Sequence, residues 1–199
     1  MSATVVPAMS SGNRLRGAAL LTFALMVVVT LASAFLRLAE PAGVGGLAID
    51  VARGAHRVAA SVALVLAIGV AIFGWERFRP LGASRAVAAA LVALGVALSF
   101  LGRFTPSTHP FVALGNPLGG LAMLGLAWWL YRAVTESDGR SIPASVGWTL
   151  AAASFAAVAA IVVWPPASSI GLPTGLAVQL AATIALAAGV SILHRNALR

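Results

Sequence analysis

Six stretches of this chain, roughly residues 17–36, 58–75, 86–102, 111–131, 144–164 and 171–193, are apolar and carry no Asp, Glu, Lys or Arg in their central parts. A bilayer core about 30 Å thick is crossed by about 20 helical residues, so each stretch is long enough to span it. In hydrocarbon every backbone polar group must be satisfied within the protein, which leaves helices or closed barrels. The Ala/Leu/Val runs lack the alternating polarity of a barrel strand. The expected fold is therefore all-α: a polytopic membrane bundle of six transmembrane helices, one integral membrane domain over residues 1–199.

The composition agrees. Of 199 residues, 60% are hydrophobic and 9% charged, against about a quarter charged in soluble domains. The chain has no Cys, which removes disulfides, thiolate metal sites and cysteine nucleophiles. Its net charge is +8, and every strong base is Arg. These arginines lie between the apolar segments rather than in a patch interleaved with aromatics. They point to membrane orientation, not to nucleic acid.

With the N-terminus inside, Arg14, Arg16, Arg77, Arg79, Arg85, Arg132, Arg140, Arg195 and Arg199 fall on the inner side. Arg37, Arg53, Arg57 and Arg103 fall on the outer side. The excess of basic residues in short loops marks the cytoplasmic face, so both termini are expected in the cytoplasm of a multi-pass cell (inner) membrane protein. Trp75, Trp128, Trp129 and Trp148 then lie toward the inner interface and Trp164 toward the outer one. Residues 14–34 also have the form of a secretory signal, with Arg14 and Arg16, an apolar run and Ala32-Ser33-Ala34; we expect a retained span. The loops are short, the longest being residues 37–55, and leave no room for a soluble domain.

Few residues offer chemistry. The histidines are His56, His109 and His194, and no carboxylate falls at membrane depth, which disfavours a proton relay or ion-coupled transport. Hydrolase, zinc-protease and phosphate-loop motifs are missing. A haem needs less: one imidazole on the iron, a partner ligand from a facing helix and cations for the propionates. His56 is followed by Ala60, Ala63, Ala67, Ala71 and Gly74 on one helical face. A flat macrocycle can lie along such a face, with Arg53 and Arg57 near its carboxylates. The same small residues equally serve close helix packing without any cofactor. His-Arg at a span boundary is also an ordinary interface pair.

Three pieces together resemble haem A synthases: His56-Arg57-Val58-Ala59-Ala60, Leu101-Gly102-Arg103-Phe104-Thr105, and Pro110-Phe111-Val112-Ala113-Leu114. The resemblance covers one four-helix half of that family, residues 15–133, and leaves two additional helices over 144–193. It implies a haem held between the second and fourth helices by one His from each, with His56 as the metal ligand. The departures are informative. Gly115 or Asn116 stands where the second His would be, and Arg53 replaces a glutamate three residues before the His-Arg. The family's oxidation of a haem methyl group is therefore not expected, and the catalytic set is empty. A retained haem b would draw on His56, Arg57, Arg53, His109 and Asn116, with His109 as the substitute ligand.

Three functions stand open from the sequence. The first is a non-catalytic subunit of a larger, respiratory-type membrane complex, with other membrane subunits as partners. The second is a haem b-binding electron-transfer or haem-handling protein using His56. The third is a small transporter or scaffold unrelated to haem.

Overall fold

A computed structural model describes residues 11–39, 42–78, 83–102, 110–135, 142–163 and 171–198. They contain six helices: α1 (Ser11–Ala39), α2 (Leu47–Gly74), α3 (Ala83–Leu101), α4 (Pro110–Thr135), α5 (Ala144–Val163) and α6 (Leu172–Ala197). All six are long and apolar enough to cross a membrane. The expected helical membrane bundle is the observed architecture.

The first connection differs from expectation. Residues 37–55 are not one loop, because α1 runs to Ala39 and α2 begins at Leu47. Asp50 and Arg53 pair at 3.2 Å one turn apart on this added stretch of helix. The 28 residues of α2 make a rod about 42 Å long, against a core of about 30 Å. His56 accordingly lies about 14 Å along α2, not at its opening. Gly43 and Gly46, with φ of 74° and 66°, turn the chain between the helices in a conformation that L side chains rarely adopt.

Helices α1 to α4 form a ring, each packed on its neighbours, with α4 closing back onto α1. Helix α6 lies against α1 and α4, and α5 covers α6 and α4. The small-residue face of α2 is consumed inside this ring: Ala63, Ala67 and Gly74 are buried. The ring of Phe78 folds back over Gly74, where any Cβ would stand 2.6 Å from it. Small side chains let membrane helices approach closely, and contact between them replaces the hydrophobic drive that lipid cannot supply. Buried Thr22, Thr30, Ser154 and Thr183 donate their hydroxyls to carbonyls one turn back, so they cross the bundle at little cost.

Pro117 lies eight residues into α4 and is inside the helix rather than in its first turn. Lacking an N–H, it leaves the Ala113 carbonyl without its usual helical partner.

Candidate functional site in the four-helix ring

Inside the ring, on the diagonal between α2 and α4, lies a cavity of about 130 Å³. Its polar lining converges from five helices: Thr30, Ser33 and Arg37 from α1, His56 from α2, Ser99 from α3, Asn116 from α4 and Gln179 from α6. Leu64, Leu98 and Met123 supply apolar walls. Ser99 and Gly102, at the end of α3, are lining residues that are also exposed, so the cavity opens beside that helix end.

His56 is half-buried, and its Nδ1 lies 3.2 Å from the carbonyl oxygen of Val29 on α1. A carbonyl only accepts, so Nδ1 carries the hydrogen and Nε2 keeps its lone pair. Arg37, also half-buried, donates from Nη1 to Ser33 Oγ at 2.8 Å, one turn back on α1. Its guanidinium has no carboxylate partner among the described residues: Asp50 pairs with Arg53, and Glu76 with Arg85. Gln179 is 2% exposed, so a buried amide from the additional helix pair completes the lining.

Of the two residues standing at the expected second-ligand position, Asn116 faces the cavity. Gly115 instead accommodates Leu101 of α3: a Cβ there would be 2.8 Å from that side chain. Gly119 does the same for Leu98, at 2.6 Å. These glycines let the leucines of α3 sink into α4. Met123, one helix turn further, reaches across to Gly95 of α3.

The expected cations are placed differently. Arg53 and Arg57 are exposed and neither lines the cavity; Arg37 does. Its position four residues after Ser33 near the end of an apolar span was visible in the sequence, but it reads there as a loop charge. His109 lies outside the described residues. His194 is at the opposite end of the bundle, in the last turn of α6.

The size of the cavity bears on haem. About 130 Å³ compares with about 150 Å³ for a cavity that takes one benzene ring and about 300–1,000 Å³ for ordinary ligand sites. Leu64, Leu98 and Met123 border this space on the His56–Asn116 diagonal. No group of three or more His, Cys, Asp or Glu that could hold a metal ion occurs among the described residues. Comparison with protein-family models, with curated proteins and with solved structures finds no match to this chain.

Proposed function

We propose that the protein is a non-catalytic subunit of a larger, respiratory-type membrane complex, built on a haem A synthase-like four-helix scaffold with both termini cytoplasmic. The observation that carries this reading is the small interior: Leu64, Leu98 and Met123 border the diagonal between α2 and α4, leaving about 130 Å³. No described carboxylate lines it.

The exterior supports the subunit assignment. On α5, Ser145, Thr149, Ala152, Ala156 and Ala160 are all exposed. Small residues at four-residue spacing are how membrane helices approach one another closely. On α2 such a face is used inside the ring; on α5 it is left open to a neighbour.

One observation favours the haem b reading. A metal-bound histidine typically donates its second ring N–H to a carbonyl or carboxylate, and His56 does this toward Val29. For haem to bind, Leu64, Leu98 and Met123 must move aside.

An absorption spectrum of the purified chain, with native electrophoresis after mild solubilisation, tests both. The subunit reading expects a colourless protein that migrates with other membrane proteins. A Soret band abolished by His56→Ala overturns it in favour of haem b. Recovery as a lone colourless monomer under several gentle detergents overturns both.

A further inference from the structure

The end of the bundle opposite His56 gathers a second set of polar groups, on the parallel helices α4 and α6. Arg132 lies in the last turn of α4, and His194 and Arg195 in the last turn of α6. Arg132 is close enough to interact electrostatically with both His194 and Arg195. Nε of Arg132, Nε of Arg195 and Nε2 of His194 are each buried with no hydrogen-bond partner. His194 is only 3% exposed, and its ring stands edge-on to Trp129, with centroids 5.1 Å apart. Trp128 closes the same seam, donating from Nε1 to Ser191 Oγ at 2.7 Å.

Leaving a buried donor unsatisfied costs about 1–3 kcal/mol, and more when the group is charged. Here two guanidinium Nε donors and one imidazole nitrogen are left without partners at two adjacent helix ends. The carboxyl ends of two helices offset part of that charge, but neither Nε donates to a helix carbonyl. The described carboxylates, Asp50 and Glu76, are paired with Arg53 and Arg85. An Arg whose Nε has no partner can turn its Nε–Nη edge outward to grip two oxygens of a phosphate at once. The site lies in the last turns of two helices long and apolar enough to cross a membrane; such helix ends meet lipid headgroups, and basic pockets between them hold anionic headgroups.

We propose that Arg132, Arg195 and His194 form a binding site for one phosphate group at the interface, with Trp129 as its apolar wall. The phosphate belongs to an anionic phospholipid or is free phosphate, and both offer the oxygens these donors lack. The site is independent of the cavity around His56.

The test is the melting temperature of the full chain in a zwitterionic detergent, read by tryptophan fluorescence. It is measured alone and with phosphatidylglycerol, phosphatidylcholine or inorganic phosphate. Phosphatidylglycerol is expected to raise it and phosphatidylcholine not, with the rise lost in Arg132→Gln/Arg195→Gln and kept in the exposed control Arg16→Gln. An equal rise with inorganic phosphate, lost in the same double variant, supports the site with free phosphate as its source. No rise with either phosphate source overturns the proposal. So does a rise that persists in the double variant or disappears equally in Arg16→Gln. Should the double variant not fold, native mass spectrometry of the wild type decides. Retention of phosphatidylglycerol over phosphatidylcholine supports the site, and equal or no retention overturns it.

Discussion

His56 on α2 donates from Nδ1 to the Val29 carbonyl on α1, at 3.2 Å, and so ties two neighbouring helices through a side chain within the span. Such bonds between membrane helices average about 0.6 kcal/mol, with a maximum near 1.7. His56→Leu is therefore expected to lower unfolding stability by about 0.5–1.5 kcal/mol, while Arg57→Gln, on an exposed side chain, leaves it unchanged. Unfolding in mixed micelles by increasing sodium dodecyl sulfate measures both. An unchanged His56→Leu would remove the bond from any account of this ring.

Much of the fold is legible in the chain because hydrocarbon imposes one rule on every span: length without charge. The element boundaries were less so. Asp50 and Arg53 look like loop residues by composition, yet their spacing lets them pair on a helix that outruns the membrane core. The site was half legible. His56 stands out on its small-residue helix face, and Asn116 enters only through the resemblance to haem A synthases; both line the cavity. Arg37 and Gln179 enter the same cavity only because α1 continues past Ser33 and α6 lies in the groove between α1 and α4. That arrangement is tertiary, and no local signal carries it. Nor did the sequence reveal that Gly115 and Gly119 admit Leu101 and Leu98, which decides how much space remains.

Helices α5 and α6 meet backbone against backbone at Gly147 and Gly189. A Cβ on Gly189 would lie 2.7 Å from the Gly147 carbonyl, and one on Gly147 would lie 2.9 Å from the Gly189 carbonyl. Backbone cannot turn aside as a long side chain can. Gly147→Ala or Gly189→Ala is expected to cost about 1–3 kcal/mol, as overpacking does. Gly69→Ala, with nothing within 4 Å of the new methyl, should stabilise α2 by up to about 1 kcal/mol. The same micelle unfolding experiment ranks the three.

Asn116→His places an imidazole on the cavity wall with His56 without enlarging the cavity. The single variant, expressed with excess haem, is expected to stay colourless. Adding Leu98→Ala removes the side chain that now fills the α3–α4 seam beside Gly119. If Asn116→His alone shows a six-coordinate haem spectrum, the cavity opens far more readily than its packing indicates.

The absence of cysteine makes topology directly testable, since any introduced thiol is unique. Gly54→Cys, on an exposed turn of α2, is expected to react with a membrane-impermeant maleimide in intact cells. Ala197→Cys, at the end of α6, should react only after permeabilisation. The reverse pattern would invert the orientation derived from the arginines.

The open face of α5 gives the last prediction. Ala152, Ala156 and Ala160 are exposed and lie one turn apart, so a large residue there meets nothing inside this chain. Ala156→Trp should leave the melting temperature of the isolated protein unchanged, because no packed neighbour is displaced. A partner helix seated on the stripe would instead be pushed away, since small-residue interfaces depend on close backbone approach. Native electrophoresis after mild solubilisation should then show the chain released from its complex by Ala156→Trp. An exposed bulky change elsewhere, such as Val65→Trp on α2, should not release it. If the two substitutions behave alike, the face of α5 meets lipid and the partner is held by another surface.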